Sequence, residues 1–415
     1  MKRLLIGLVV LALLAGGAGA AYYFYKQHQA RDIRGSSSVE FVTTAGPEKP
    51  VKVEKGIDWP MYGYDAQRTH VAPGKVHPPF RRLWWFGARS LLEFPPAIAY
   101  GRLYFTNNTG VTFAVGAHNG GRAWHRLSGR CVASSPAVSG RLVFQAFLNK
   151  RPCNNTASGL AGQIVAYYVG SGKTRWSKTI GPSETSPLVA GGHVYVGDWN
   201  GDIFAFNGNT GKLAWKYHTG GKVKGGLAFT HGRVYAGSYD HHVYCLDALD
   251  GKLIWRASAQ DRLGSQANFY STPAVAYGRV YIGGTDGKVY SYGASSGQLR
   301  WSHDTGGYVY SSPAVWRQRV FAGSYSGTFY AFDAATGDVR WHFDAHAEIS
   351  GSPTVIDGIV YFATLDKRTY ALDARTGKQV WTFPDGQYSP VVTDKKRLYL
   401  VGHARLYGLV PKRRG

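Results

Sequence analysis

Residues 311–341 read SSPAVWRQRVFAGSYSGTFYAFDAATGDVRW, and this stretch decides the fold. Ser312-Pro313-Ala314-Val315 is a short apolar strand, A. Arg319-Val320-Phe321-Ala322 is a second strand, B. Thr328 to Phe332 alternates faces as a third strand, C. Asp333-Ala334-Ala335-Thr336-Gly337 is a turn whose glycine can take positive φ. Val339-Arg340-Trp341 opens a fourth strand, D. The same order recurs along the chain as Ser-Pro-x-Val, Gly-Arg-Val-Tyr, a polar turn, Val-Tyr-x-Leu-Asp and Thr-Gly-Lys-x-x-Trp. The closing tryptophans are Trp84, Trp124, Trp176, Trp215, Trp255, Trp301, Trp341 and Trp381, spaced 40, 52, 39, 40, 46, 40 and 40 residues apart. A period near 40 with four short strands per unit is the signature of a β-propeller blade.

The ends of the array fix the number of blades. Residues 388–410 carry strands A, B and C without a closing Trp. Arg82-Leu83-Trp84-Trp85-Phe86 is a D strand without its own A, B and C. Together they make one composite blade, so the reading is an eight-bladed all-β propeller closed by both ends of residues 57–415. The alternative, an open solenoid of β-meanders, gives the complementary ends no purpose.

The repeat resembles the pyrroloquinoline-quinone (PQQ)-type propeller family, whose mark is A-x-D-x-x-T-G-x-x-x-W. Ala331-Phe332-Asp333-Ala334-Ala335-Thr336-Gly337 to Trp341 matches it, as does Ala371 to Trp381. Asp58-Trp59-Pro60-Met61-Tyr62-Gly63-Tyr64-Asp65 is similar to the lead-in of such propellers. The resemblance implies that the eight tryptophans dock neighbouring blades and are structural. It also implies two functional classes: quinoprotein dehydrogenases and non-enzymatic scaffolds of the BamB type. The dehydrogenases carry an adjacent Cys-Cys disulfide and a Ca²⁺ held by Glu, Asn and Asp. The cysteines here are Cys131, Cys153 and Cys245, and no such ligand set can be placed. No cofactor is therefore expected, PQQ with Ca²⁺ being the alternative. No hydrolase, zincin, Walker or EF-hand spacing appears.

Composition agrees with a β-rich globular chain. It has 54 Gly, 28 Tyr and 12 Trp in 415 residues, with 44% hydrophobic and 18% charged residues, which excludes a wholly disordered chain. The 48 Lys+Arg against 25 Asp+Glu give a formal charge of +23. That favours anionic surroundings such as lipid headgroups or envelope polymers over nucleic acid, because the charge forms no single run.

Leu4 to Tyr25 is 22 residues without a charge, ending in Tyr22-Tyr23-Phe24-Tyr25. Its length and interfacial aromatics predict a transmembrane anchor over residues 1–30. The rival is a signal peptide cleaved at Ala18-Gly19-Ala20. Either places the propeller outside the cytoplasm. Residues 31–56, with Gly35-Ser36-Ser37-Ser38, Pro47 and Pro50, read as a flexible stalk.

In a four-stranded meander the D–A and B–C connections share one face. Glu93, Glu184 and Glu348 precede strand A of three blades, Lys222 and Lys224 that of a fourth, and Tyr270, Tyr310 and Tyr388 those of others. They are the candidate rim of a central funnel on that face; the plain alternative is a solvated rim of paired charges. The extra length of the two longest periods also falls there, in 145–161 and 258–269. Cys131 and Cys153 share the face and are expected to form a disulfide, leaving Cys245 a buried thiol. His241-His242 point to opposite faces of a strand and do not suit one metal. Asn107 and Asn154 open N-x-T sequons that also suit plain turns. The reading is a membrane-tethered, extracytoplasmic, non-catalytic scaffold for an envelope protein or anionic envelope polymer. A PQQ-dependent oxidoreductase and a carbohydrate-binding module are the alternatives.

Overall fold

The computed structural model describes residues 2–29, 31–44, 54–152, 162–260, 267–388 and 391–412. Eight sheets are arranged as blades, each with four antiparallel strands ordered A-B-C-D; Ile57–Trp59 adds a fifth, antiparallel strand inside strand A of blade 1, and Val71–Ala72 a fifth, parallel one inside strand A of blade 7. Blades 1 to 7 span 97–127, 137–180, 188–218, 228–258, 274–304, 314–344 and 354–383. In blade 6 the strands are Ala314–Trp316, Arg319–Gly323, Thr328–Asp333 and Val339–Asp344. Blade 8 takes A, B and C from Val391–Thr393, Leu398–Val401 and Arg405–Pro411. Its D strand is Phe80–Gly87, antiparallel to Arg405–Pro411 with Trp85 opposite Tyr407. The ring thus closes by pairing the two ends of the array, which removes free sheet edges at the seam.

Each tryptophan docks the following blade. The Trp124, Trp176, Trp215 and Trp301 indoles donate to Val169, Gly208, Ala248 and Ala334 carbonyls at 2.8–3.0 Å. Those carbonyls lead into the next C–D turn, whose glycine lies flat on the indole. A Cβ on Gly120, Gly172, Gly211, Gly251, Gly297, Gly337 or Gly377 would come within 2.6–2.8 Å of the preceding blade's Trp ring. These glycines therefore serve two demands, positive φ and close approach. Trp381 faces the seam, where no such turn exists, and Phe80 meets it edge-on at 5.1 Å.

The hub is filled by the chain itself. The 57–72 segment runs around the inner strands, and its carbonyls accept from strand A of blades 2, 4, 5, 6 and 7: Pro60 from Val138, Ala66 from Phe229, Gln67 from Val275, Thr69 from Val315 and His70 from Val355, at 2.6–2.9 Å. Arg68, wholly buried, donates to Leu227, Ser186 and Pro187 carbonyls at 2.8–3.2 Å and to the Tyr62 carbonyl. Burial holds it down at about 10. The Ser of each Ser-Pro also works at the hub. Ser312 N–H donates to Ser352 Oγ at 2.7 Å and Thr272 N–H to Ser312 Oγ at 2.9 Å.

Residues 31–44, read from composition as stalk, lie against blades 5 and 6. Ile33 bridges Ser302, Gly35 N–H donates to Thr336 at 2.9 Å, and Arg34 pairs with Asp338 at 2.8 Å. Arg300 Nε and Ser296 Oγ donate to Glu40 at 2.9 and 2.7 Å. Phe41 packs on Tyr277 at 5.4 Å. Ile33 and Arg34 before the Gly-Ser run, and Glu40 and Phe41 after it, supply the contacts that composition hid.

Lys2–Gln29 forms one helix, α1. Its described side chains, such as Leu11, Leu14 and Phe24, are exposed, at 68–69%, and the sequence gives it no polar face. No helix among the described residues is long and apolar enough to cross a membrane; the side chains of 1–6, 8, 9 and 25–29 lie outside those described.

Candidate functional site

The D–A connections descend toward the axis before each strand A, and position along them decides what a side chain reaches. Glu93, Glu184, Lys224, Tyr270 and Tyr310 each stand four residues before the first residue of strand A, and Tyr388 three before. These six line one cavity above Tyr62, together with Ser350 at the same register in blade 7. Lys222 and Glu348 stand two residues earlier, six before strand A, and are not among its lining. Glu348 is exposed. Lys222 instead lies over the Trp199 ring at 4.8 Å. The relevant signal was register against the Ser-Pro step, not mere proximity to strand A.

Lys224 is the centre of the site. Its Nζ is 3.4 Å from Glu184 Oε1. It also lies over Trp199, Tyr239 and Tyr270 at 4.6, 5.5 and 5.6 Å from the ring centroids. A carboxylate with three π-faces is a cage for a cation, and this cage holds the protein's own ammonium. Burial, then the nearby Glu184 charge, raises Glu93 to about 7, against the pull of Lys224. Burial likewise raises Glu184, and Lys224 opposes it. Tyr270 is held well above its ordinary value by burial and by the two carboxylates.

Trp199, Tyr239 and Tyr325, from B–C turns, were not singled out in the sequence. With Tyr270, Tyr310 and Tyr308 they form an arc over blades 3 to 6, with Tyr270–Tyr310 and Tyr310–Tyr325 both at 5.0 Å and Tyr308–Tyr325 at 6.2 Å. Tyr308 is 53% exposed at the end of the arc. Each of these aromatics is unremarkable within its own repeat; only ring closure gathers them.

The cavity's free volume is about 60 Å³, room for a few waters. A three-ring quinone needs a site on the order of 300 Å³ or more, so the side chains present do not fit one on the axis. Among the described residues no group of three or more His, Cys, Asp or Glu is placed to hold a metal. His241 Nδ1 lies 3.4 Å from the Ala267 carbonyl and His242 Nδ1 2.7 Å from the Asp240 carbonyl. Asn107 is buried, its amide donating to Ala88 at 2.9 Å and its Oδ1 accepting from Val111 N–H at 2.9 Å, so it serves its turn. Asn154 lies outside the described residues.

Cys131 is disulfide-bonded. Cys153, its expected partner, lies outside the described residues. Cys245 is a buried free thiol that burial pushes up to about 12.

A cavity of about 800 Å³ lies on the opposite face between blades 6 and 7 and residues 71–77. It is an open groove whose carboxylates are engaged: Asp357 pairs with His77 at 2.6 Å, and Asp373 accepts from Arg375 and Thr376 N–H in its own turn.

A family profile described as outer membrane protein assembly factor BamB matches residues 81–186, 160–307 and 306–412. A search of curated proteins by sequence found no match. Among solved structures, BamB from Moraxella catarrhalis superposes with a TM-score of 0.64 at 17% identity, over 80% of this chain and 100% of that one. Quinohemoprotein alcohol dehydrogenase ADHIIG from Pseudomonas putida HK5 gives 0.70 at 13% identity, over 86% and 82%. The computationally designed Ika8 protein gives 0.65 at 17%, over 79% and 98%. At these identities the superpositions speak for the fold, and the profile for the family. The chain belongs to the PQQ-type propeller family described by the assembly factor BamB.

Proposed function

We propose that this protein is a non-catalytic scaffold, held to a membrane by α1 with its propeller outside the cytoplasm, that docks an envelope protein on its D–A/B–C face. The aromatic arc from Trp199 to Tyr308 carries the proposal. Tyr and Trp concentrate at the cores of protein interfaces, and here five tyrosines or tryptophans from neighbouring blades meet ring to ring around Tyr310 and Lys224. The arc stands on connections held by a rigid ring, where recognition residues are usually carried. The small axial cavity and its caged lysine support binding over turnover. The uncharged run Leu4 to Tyr25 within α1 supports tethering.

The test is an absorbance titration of the full chain with PQQ and Ca²⁺, followed by dye-linked oxidation of alcohols. The scaffold reading expects no saturable spectral change and no dye reduction. Stoichiometric quinone uptake with turnover would overturn it.

A further inference from the structure

Charge is distributed very unevenly around this ring. Residues 80–183, which make the D strand of blade 8 and all of blades 1 and 2, contain thirteen Lys or Arg and one acid, Glu93, a formal excess of +12. Residues 184–412 contain 23 Lys or Arg and 18 Asp or Glu, an excess of only +5. The single acid of the cationic sector is turned into the axial cavity; the one carboxylate seated on the sector from outside it, Glu54, is taken up by Ser139 and Gly140 in the A–B turn of blade 2 at 2.8 and 2.7 Å.

The cations are held at that surface. Arg81, Arg82, Arg122, Arg126, Arg175 and Lys178 lie on the outermost strands and are exposed. None of the thirteen pairs with a carboxylate among the described residues. Several are braced by main-chain carbonyls instead: Arg126 donates to Gly172 and Ser171 at 2.9 and 2.7 Å, and Arg102 to Gly170 at 3.2 Å. Arg130 has a guanidinium nitrogen, Nη1, buried without a hydrogen-bond partner, a donor that an anion would satisfy. Ten of the thirteen are Arg, the side chain whose planar fork suits phosphate oxygens best.

The position of the tether bears on the occupant. The chain leaves α1 and meets the propeller at blades 5 and 6, through Ile33–Ser302 and Arg34–Asp338. Blades follow one another around the ring in chain order, so blades 1 and 2 stand across the axis from blades 5 and 6. The cationic sector therefore faces away from the side on which the helix joins.

We propose that the outer rim of blades 8, 1 and 2 is a docking surface for a phosphate-bearing anionic polymer of the cell envelope, separate from the aromatic arc. It goes beyond the scaffold reading, because surface and ligand both differ. The arrangement is that of a protein which bridges from its tethering membrane to a polyanion on the far side.

The test uses the full chain in detergent, with inorganic polyphosphate as probe, polyglutamate of matched length as the carboxylate control, and vesicles containing anionic phospholipid as the membrane arm. Variant one is Arg81→Gln/Arg82→Gln/Arg122→Gln/Lys178→Gln. Variant two, Lys212→Gln/Arg256→Gln/Lys367→Gln/Lys378→Gln, removes the same charge elsewhere on the ring. Polyphosphate should bind the parent more tightly than polyglutamate does. Variant one should lose about tenfold or more at roughly 150 mM salt, with the slope of log affinity against log salt falling by about three. Variant two should change affinity less than about threefold, as four charges outside the contact would. Equal losses in the two variants, or tighter binding of polyglutamate, would overturn the proposal. So would vesicle binding that exceeds polyphosphate binding and is lost in variant one, since the sector would then be a membrane surface. Unchanged melting of both variants establishes that the losses are not unfolding.

Discussion

Two glycines of blade 4 separate the cost of backbone handedness from the cost of docking. Gly232, in the A–B turn, has φ +71° and nothing within 4 Å of a built Cβ. Gly251, in the C–D turn, has φ +75°, and its Cβ would fall 2.6 Å from Trp215 Cε3. Gly232→Ala therefore bears only the left-handed penalty, about 1–2 kcal/mol. Gly251→Ala bears the same penalty and must also lift its turn off the Trp215 indole. Forcing extra volume into a close-packed contact costs a further ~1–3 kcal/mol. Lifting the turn also strains the bond from Trp215 Nε1 to the Ala248 carbonyl, now 2.9 Å. The assay is urea denaturation of the two variants against parent, followed by Trp fluorescence and by far-UV dichroism. The double variant Gly251→Ala/Trp215→Phe supplies the coupling energy. Gly251→Ala should be the less stable of the two by ~1–3 kcal/mol, with part of the loss relieved when Trp215 is cut back. Equal costs for the two glycines would refute the docking role assigned to seven turns of this ring.

Three further outcomes are expected. Arg68→Met should strand the Leu227, Ser186 and Pro187 carbonyls at the hub, each buried group costing about 1–3 kcal/mol, so its melting temperature should drop steeply; an unchanged melt would mean that the 57–72 segment does not brace the ring. Glu93, raised to about 7, and Asp65, raised to about 6 by burial, both hold protons in the folded state that the unfolded chain releases near pH 4–4.5. The stability they contribute is present below that range and lost as pH rises through about 6–7, and Glu93→Gln should flatten the fall; superimposable pH profiles of melting temperature would contradict this. Deleting 398–415 removes strands B and C of blade 8 and leaves Phe80–Gly87 unpaired, so the whole transition should be lost; a truncated chain melting like the parent would refute closure at that seam.

The fold was legible because docking repeats locally. Trp, Gly and Ser-Pro recur at fixed offsets within each unit, and the two incomplete ends declare the composite blade. Contacts that cross repeats were not legible in the same way. The glycine of one turn and the indole of the previous blade are separated by about 36 residues, so Gly251 reads as a turn residue and not as the floor under Trp215. The hub was hidden for the same reason: Arg68 reaches Leu227, 159 residues away, from a segment with no period. At the candidate site, the register four before strand A brought five of the eight named residues into the cavity, with Tyr388 three before, while Lys222 and Glu348, six before, fell outside its lining. Trp199, Tyr239 and Tyr325 each stand two residues after the glycine that closes strand B, Gly197, Gly237 and Gly323; that shared offset was the signal that could have marked them.

The central claim is that recognition belongs to the D–A/B–C face. Site-specific photocrosslinking in the cell tests it most directly, with a photoreactive amino acid placed in turn at Lys222, Tyr308 and Glu348 on that face, and at Arg317 and Arg375 on the other. The account predicts one discrete crosslinked envelope protein from the first three positions and none from the last two. Crosslinks confined to Arg317 and Arg375, beside the groove of blades 6 and 7, would contradict it.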